Sequence, residues 1–294
     1  MPELPEVETI RRGLEKYLPG RRIAQVEVRL PKLLRNCDPQ TLNEDLQGKE
    51  FLQVRRVGKI LILDCEDWSL LVRLGMTGQL TFRDLHLPDQ NSFTTHAITG
   101  LQRAQGQFSP DKHTHIIIRC QDETEVLYRD IRQFGKWYLY STQDLPQAPE
   151  LQALGPDPFQ PSYTLAYLSA QLAKSRRPIK VVLMDQGVVC GLGNIYADEA
   201  LFIAAIAPQR AANSLNSEEV GRLYQAILQV LRQGIANRGT TFSDYRDADG
   251  LRGGNAHYLQ VYGRAGQPCY RCGAILQKMT LGGRTTAWCP HCQH

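Results

Sequence analysis

The stretch FLQVRRVGKILILDCEDWSLLVRLGMTGQLTFR, residues 51–83, decides the fold of the first half of the chain. It consists of short runs that are rich in β-branched, leucine and aromatic residues. Runs of this kind, in close succession and bounded by turns, predict β-strands. Four strands are predicted within the stretch, at 51–57, 60–65, 69–74 and 78–83.

Further strands are predicted on both sides of this stretch. Val26, Val28 and Leu30 alternate with polar residues ahead of it. Three more candidates follow it, at 114–120, 124–129 and 136–140. Together the strands indicate an antiparallel sandwich or barrel. The polar residues 84–112 predict a long mobile insertion between strands.

A leading helix is predicted from Pro5 to about Leu18. Proline suits the first turn of a helix, and the glutamates around it suit the positive end of the helix dipole. The apolar residues recur at helical spacing and form one stripe, which consists of Val7, Ile10, Leu14 and Leu18. The first half therefore combines one helix with antiparallel strands, which is an α+β organisation.

The second half of the chain is predicted to be helical. It follows residues 141–161, which contain five prolines and are typical of a linker. Asn194, after a glycine-containing turn, and Ser217 are predicted helix N-caps. The predicted helices are 162–173, 178–184, one that opens at Asn194, and 217–233. We expect four parts: a domain over 1–140, the linker 141–161, a helical domain with a loop over 162–254, and a module over 255–294.

Composition narrows the class of protein. The 294 residues suit two domains, and 42% hydrophobic with 22% charged residues is typical of a globular protein. No apolar run approaches the roughly 20 residues of a membrane span, and the acidic start does not resemble a signal peptide, so we expect a cytoplasmic location.

The net charge is +4, and the basic residues cluster at Arg11–Arg12, Arg21–Arg22, Arg55–Arg56–Lys59 and Lys174–Arg176–Arg177–Lys180. The clusters suit a polyanion, although each alone also fits a solvated surface.

Four cysteines form the most specific motif. Cys269 and Cys272 are two residues apart, as are Cys289 and Cys292, and sixteen residues separate the two pairs. This spacing predicts a zinc ribbon in which four thiolates surround one structural Zn²⁺. Arg284 lies in the turn between the pairs, where either a DNA contact or a plain surface turn is expected.

The amino terminus offers a second kind of chemistry. If Met1 is removed, the nitrogen of Pro2 becomes a secondary amine, and an α-amino group with a pKa near about 8 is partly unprotonated at neutral pH. Such an amine can attack a sugar C1′ and form an iminium. The neighbouring Glu3 can then move protons. A Met-Pro start alone carries no such meaning.

Several motifs together resemble the bacterial formamidopyrimidine-DNA glycosylase family. They lie in family order over almost the whole chain and end in the cysteine module. They are Pro2–Glu3–Leu4–Pro5–Glu6–Val7–Glu8, Arg55-x-x-Gly58–Lys59, Leu74–Gly75–Met76–Thr77–Gly78, Asp130–Ile131–Arg132–Gln133–Phe134–Gly135, Gly191–Leu192–Gly193–Asn194–Ile195–Tyr196 and Val261–Tyr262–Gly263–Arg264.

The resemblance implies a fold and an activity. The fold is an amino-terminal antiparallel β-sandwich with a leading helix, followed by a helix–two-turns–helix domain and a zinc finger. The activity is excision of oxidised purines, such as 8-oxoguanine and formamidopyrimidines, from double-stranded DNA. A Schiff base on Pro2 then leads to strand cleavage at the abasic site by β,δ-elimination. The resemblance also implies a monomer in a bacterial cytoplasm, at the nucleoid.

The resemblance assigns residues to these roles. Pro2 is the nucleophile, Glu3 the acid and base, Glu6 a second carboxylate of the site, and Lys59 a contact to the backbone beside the lesion. Met76, Arg132 and Phe134 fill the space that the extruded base leaves, although their spacing alone favours core packing for Met76 and Phe134. The other DNA contacts are Lys180, Asn194, Tyr262 and Arg284, and Thr240 and Thr241 lie in the loop that covers the extruded base.

Three departures and three alternatives accompany the resemblance. Gln133 stands where many relatives have a second basic residue, the insertion at 84–112 is long, and the loop 244–254 matches loosely. The alternatives are an endonuclease VIII type of glycosylase that acts on oxidised pyrimidines, a non-catalytic zinc-ribbon DNA-binding protein, and a zinc hydrolase. A closed four-cysteine site has no open position for water, which disfavours the hydrolase.

Overall fold

The structure is a computed structural model, and it describes residues 2–86, 109–242 and 244–294. Contacts divide the described chain into two compact units. The first, here the sandwich unit, runs to Gln152 and includes Ile235–Ala256; the second, the helical unit, comprises Ala153–Gly234 and His257–His294. The four-part division that the sequence suggests stays a prediction.

The sandwich unit contains two antiparallel four-stranded sheets. The first sheet has the order β1-β6-β7-β5 and the second the order β2-β3-β4-β8. The strands are β1 (Ile23–Val28), β2 (Phe51–Val57), β3 (Ile60–Cys65), β4 (Trp68–Arg73), β5 (Gly78–Asp84), β6 (Thr114–Cys120), β7 (Thr124–Asp130) and β8 (Lys136–Ser141). The seven strands predicted with bounds are present within one residue of those bounds, and the strand predicted from Val26, Val28 and Leu30 is β1, which begins three residues earlier and ends at Val28.

One apolar core joins the two sheets, which makes the fold a sandwich. Val26 and Ile118 from the first sheet and Leu63 and Val72 from the second belong to the same buried cluster. Strand β3 is buried along its whole length. The sequence left a barrel open as an alternative, and the separate strand orders of the two sheets decide against it. The expected α+β class with an amino-terminal sandwich is confirmed.

Helix α1 (Leu4–Glu15) packs mainly against β2 of the second sheet and also contacts β5 of the first, and α2 (Pro39–Leu46) packs against β1. All four residues of the predicted apolar stripe are fully buried, although the helix ends at Glu15 and Leu18 lies in the turn that follows it. Pro5 lies in the first turn of α1, where its missing N–H costs no hydrogen bond. The helix therefore carries the start of the chain on a rigid support. The segment 141–161 includes a short helix, α3 (Pro149–Gln152).

The helical unit is built from four helices and one hairpin. The helices are α4 (Leu165–Ala173), α5 (Ile179–Leu183), α6 (Asn194–Ile203) and α7 (Ser217–Ala236), the last of which runs two residues past the unit's boundary at Gly234. The hairpin pairs β9 (Gln277–Leu281) with β10 (Arg284–Trp288) around two glycines with positive φ. Among the described residues, no helix combines the length and the apolar character needed to cross a membrane.

The two predicted N-caps are each wrong by one residue. The cap of α6 is Gly193, and Asn194 is the first helical residue. For α7, Asn216 Oδ1 accepts the Glu219 backbone N–H, 2.9 Å away, and Glu219 Oε2 accepts the Asn216 N–H. Asn194 and Ser217 both have cap-forming side chains, so their residue type could not show which position carries the cap.

The prediction of a mobile insertion falls on 84–112, of which 87–108 lie outside the described residues.

Candidate active site and metal centre

The start of the chain is buried, and two carboxylates lie there. Pro2, Glu3 and Glu6 are all buried. Glu6 Oε2 accepts the backbone N–H of Glu3 at 2.8 Å, in a capping-box arrangement at the start of α1. Glu6 Oε1 accepts the backbone N–H of Thr240 at 2.7 Å. One side chain thus ties the first residues of the chain to a loop 234 positions away.

The loop around Thr240 is held closely against α1. The Tyr245 hydroxyl donates to the Glu6 carbonyl, and a Cβ on Gly239 would lie 2.9 Å from Glu6 Cγ. Gly239 also has a φ of +81°, so only glycine fits there without strain. The Thr240 hydroxyl accepts from Asn255, and the Thr241 hydroxyl bonds the Tyr245 carbonyl and the Gly253 amide. Both threonine hydroxyls are therefore used within the loop itself.

Lys59 lies half-buried in the turn between β2 and β3. Arginines of two predicted basic clusters are paired with an acid of the same unit, since Glu8 binds Arg11, Arg12 and Arg56 at 3.1, 2.7 and 3.0 Å. Burial acts to raise the pKa of Glu8, but the three guanidinium groups lower it to about 2.

Three of the predicted basic clusters are thus largely neutralised. Arg55 pairs with the buried Asp64, and Arg21 and Arg22 bind acids of neighbouring loops. These arginines form ion pairs within the sandwich unit. The clustering of basic residues is therefore weak support for a polyanion partner when it is taken alone.

Met76, Arg132 and Phe134 lie on two neighbouring loops. Phe134 is 53% exposed and Arg132 is exposed, so the alternative that Phe134 packs in the core is wrong. The Arg132 guanidinium carbon lies 4.9 Å from the centre of the Phe134 ring. Met76 is half-buried. An exposed aromatic ring beside a cation suits contact with bases rather than with the core.

Lys180 is enclosed by protein, whereas a side chain that contacts a DNA phosphate must be exposed. Its side chain is fully buried, and its ammonium lies 2.6 Å from Asp198 Oδ1 and 2.6 Å from Thr286 Oγ1. Asp198 Oδ2 accepts the backbone N–H of Ala287. Burial raises the pKa of Asp198 to about 7, against the opposing effect of the Lys180 ammonium. The pair joins α5 and α6 to β10, so a direct DNA contact by Lys180 does not fit this arrangement.

The other predicted contacts of the helical unit surround the same hairpin. Asn194 donates from Nδ2 to the carbonyl of Thr285, at 2.9 Å. The carboxylate of Glu199, also on α6, accepts the backbone amides of residues 260–262, and one of these is the amide of Tyr262. Arg284 is exposed at the end of the hairpin. Helix α6 therefore positions Tyr262 and the hairpin together.

Cys269, Cys272, Cys289 and Cys292 come together. Their four sulfur atoms all lie within 4.8 Å of one another. Tetrahedral zinc with bonds of about 2.3 Å needs sulfurs about 3.8 Å apart, so the set fits the ion. Backbone amides of Arg271 and Cys292 point at two of the sulfurs, which favours the thiolate form. The protein holds one structural zinc ion here, as the spacing predicts.

The buried acids that hold these segments were not predicted from the sequence. Asp198 and Glu199 stand within the otherwise apolar run NIYADEALFI of α6, and adjacent acids in such a run are the one local signal that could have marked them. Glu8 and Asp130 gave no comparable signal, because the contacts that Arg56 and Thr77 make with them join segments about 50 residues apart in sequence.

Known protein families match three parts of the chain. Residues 1–137 match the formamidopyrimidine-DNA glycosylase N-terminal domain, residues 154–246 match the formamidopyrimidine-DNA glycosylase H2TH domain, and residues 266–294 match the zinc finger found in FPG and IleRS. With the sandwich, the helices and the four-cysteine centre, these matches define a DNA glycosylase that contains zinc.

Full-length relatives specify the family. The chain is 42% identical to a formamidopyrimidine-DNA glycosylase of Desulfitobacterium hafniense, over 100% of both chains, and 39% identical to one of Listeria innocua over 100% of both. It is also similar to a mutant Lactococcus lactis FPG in complex with a Fapy-dG containing DNA, with a TM-score of 0.87, 33% identity and 100% of both chains covered. Another solved complex, of L. lactis Fpg with an abasic site containing DNA, has a TM-score of 0.86, 33% identity and 99% coverage. The chain belongs to the formamidopyrimidine-DNA glycosylase family.

Proposed function

We propose that this enzyme excises oxidised purines from double-stranded DNA with the Pro2 amine as its nucleophile, and then cleaves the strand at the abasic site. The amine attacks C1′ of the damaged nucleotide, the C1′–base bond breaks, and an iminium links the protein to the opened sugar. The iminium acidifies the C2′ proton, whose removal expels the 3′ phosphate. A second elimination expels the 5′ phosphate.

The observation that carries the proposal is the arrangement at the start of α1. Glu3 and Glu6 are buried beside Pro2, and the Glu6 carboxylate holds both the Glu3 amide and the Thr240 amide. Glu3, adjacent to the amine, protonates the sugar oxygen as the ring opens and then moves protons in the elimination. Glu6 acts as the positioning group, since both its oxygens are used by backbone donors.

The remaining residues serve the extrusion of the base. A glycosylase must remove its target from the base stack, which costs a few kcal/mol. Phe134 and Met76 replace the lost stacking, and Arg132 hydrogen-bonds the orphaned base. Lys59, Asn194, Tyr262 and Arg284 contact the DNA backbone, and the Thr240–Thr241 segment covers the extruded base. Such a substrate places the enzyme at the bacterial nucleoid, in the cytoplasm, where it acts as a monomer.

Borohydride trapping on a duplex with 8-oxoguanine opposite cytosine tests the nucleophile. The protein is first shown by mass spectrometry to begin at Pro2. We expect a covalent adduct located on that residue. The matched control carries an amino-terminal extension, which makes the Pro2 nitrogen a tertiary amide without altering any side chain. We expect it to form no adduct and to lose excision.

Two outcomes would contradict the proposal. The extended protein could cleave lesion strands at the full rate, or the trapped peptide could be another one. Glu3→Gln separates the two steps, because it is expected to slow excision while the adduct with a preformed abasic site still forms. A duplex with thymine glycol opposite adenine tests the base preference; equal or faster excision from it would favour an endonuclease VIII type of specificity.

A further inference from the structure

Asp130 connects the two loops that carry Met76, Arg132 and Phe134. It is the last residue of β7 and is fully buried. Its carboxylate accepts hydrogen bonds from the Thr77 hydroxyl at 2.5 Å and the Gly135 backbone N–H at 2.8 Å. The Tyr128 hydroxyl shares its one proton between Asp130 Oδ2 at 3.1 Å and the Leu74 carbonyl at 3.0 Å. A buried carboxylate that accepts several donors is firmly oriented.

The Thr77 hydroxyl is shared between the loops. It donates its proton to Asp130 Oδ1 and accepts the backbone N–H of Arg132 at 2.9 Å. Thr77 directly follows Met76 in the chain. A single hydroxyl thus fixes the backbone beside one of the three side chains to the backbone of another.

The backbones of the two loops also approach each other closely. A Cβ on Gly75, whose φ is +73°, would lie 2.7 Å from the Gly135 nitrogen. A Cβ on Gly135 would lie only 1.7 Å from the Tyr128 hydroxyl. Neither position has room for a side chain, because the Asp130 network draws the loops together.

We propose that Asp130, acting through Thr77, is a positioning residue that makes Met76, Arg132 and Phe134 one preorganised wedge for the extrusion of the damaged base. The network lies beneath the loops, whereas Arg132 and Phe134 are exposed above it. A wedge that must enter the base stack against a resisting duplex works best when its parts need no ordering on binding. The inference deepens the proposed excision and rests on it.

The proposal separates base excision from chemistry at an abasic site. A damaged base must be driven out of the stack before its sugar reaches the nucleophile. A preformed abasic nucleotide has no base to extrude, so its sugar depends much less on the wedge. Loss of the network should therefore slow the first reaction more than the second.

The experiment uses Thr77→Val, which keeps the shape of the side chain and removes the hydroxyl. Thr77→Ser keeps the hydroxyl, and Thr81→Val is the matched control, since Thr81 is a buried threonine on the same strand-forming segment, outside the Asp130 network. Single-turnover excision of 8-oxoguanine is compared with cleavage and borohydride trapping on a preformed abasic duplex. The fluorescence of 2-aminopurine placed next to the cytosine that faces the lesion reports the insertion of the wedge.

For Thr77→Val we expect excision and the 2-aminopurine change to slow by about tenfold or more, in line with a lost buried hydrogen bond. Abasic cleavage and trapping should stay within about threefold of wild type, as should all activities of Thr77→Ser and Thr81→Val. Asp130→Asn places an amide donor among three donors. It should slow excision more than Thr77→Val does, while abasic cleavage is again less affected than excision.

Two results would overturn the inference. Thr77→Val could match Thr77→Ser in excision, or it could lose abasic cleavage as much as excision, which would indicate general loss of structure. Failure of the proposed function gives a different result, because then the wild-type enzyme itself would form no adduct on either duplex.

Discussion

Two buried carboxylates, Glu8 in the sandwich unit and Asp198 in the helical unit, have pKa values shifted in opposite directions, although burial acts to raise both. Glu8 is in contact with three arginines, of which Arg12 remains largely open to solvent, and its pKa falls to about 2. Asp198 has one cationic partner, Lys180, both side chains are fully enclosed, and the pKa of Asp198 rises to about 7.

The difference shows that the number of partners and access to water decide the outcome, rather than the presence of an ion pair. Several guanidinium groups with some hydration offset the cost of desolvating one carboxylate. A single enclosed ammonium does not offset it fully. The Glu8 cluster therefore stabilises the folded sandwich unit in addition to its apolar core, whereas the Lys180–Asp198 pair in the helical unit fixes α5 and α6 against β10 at a cost in desolvation.

Removal of a zinc ligand should produce the largest difference in stability between the helical unit and the sandwich unit. Cys289→Ser is expected to release the ion and unfold the segment 266–294, since zinc contributes about 10–16 kcal/mol to modules of this kind. Binding of lesion DNA should fall while the sandwich unit stays folded. Zinc stoichiometry and hydrogen exchange by mass spectrometry measure this, with Cys190→Ser as the control at a buried cysteine outside the cluster. Unchanged zinc content would refute the ligand assignment.

Lys180→Met tests the enclosed pair. The folded pKa of Asp198, about 7, exceeds the ordinary 3.8, so the carboxylate opposes folding increasingly as the pH rises between these values. Without the Lys180 ammonium, the pKa of Asp198 rises further, so the free energy of unfolding continues to fall as the pH rises above 7. We expect a cost of about 3–5 kcal/mol at pH 8 and much less at pH 5, where Asp198 is neutral.

Urea unfolding at the two pH values, followed by hydrogen exchange over β9 and β10, measures the cost. Adding Asp198→Asn to Lys180→Met should recover part of the stability at pH 8. A loss that is the same at both pH values would show that Lys180 contributes through packing alone.

Glu8→Gln tests the open cluster and should show the opposite pH dependence. The folded pKa, about 2, lies below the ordinary 4.5, so the carboxylate stabilises the fold above pH 4.5 and this contribution disappears as the pH falls towards 2. The shift corresponds to about 3 kcal/mol, which partial exposure of Arg12 reduces to about 2. Urea titrations of the variant and of Glu123→Gln, at a largely exposed glutamate, should differ most at pH 7 and converge only as the pH falls through about 2.

The smallest effect is expected at Gln133, the position at which the family resemblance predicts a second basic residue. Gln133 already has a φ of +56°, so arginine can replace it without added backbone strain. Gln133→Arg should steepen the dependence of log affinity on log salt concentration by about 0.9, as one more phosphate is neutralised. Fluorescence anisotropy with lesion DNA measures the slope, and Gln133→Ala should leave it at the wild-type value.

Much of the fold could be predicted from local patterns. The strands of the sandwich, the stripe on α1 and the paired cysteines are encoded in residues close together in sequence, and backbone propensity and ligand spacing act over that range. The zinc centre was predictable because two pairs of the same rare residue suffice to define it. The N-caps of α6 and α7 were off by one, since neighbouring cap-forming residues compete locally.

The sequence by itself determined the strands, the leading helix, the metal and the family that the motifs define. Only the tertiary structure decided which partner each buried charged group has. It placed Lys180 against Asp198, the Thr77 hydroxyl against Asp130, and the Thr240 backbone amide against Glu6. The physical reason is that propensity and spacing are properties of neighbouring residues. Burial and partnership depend on segments that meet only when the chain has folded, and they decide what a charged side chain does.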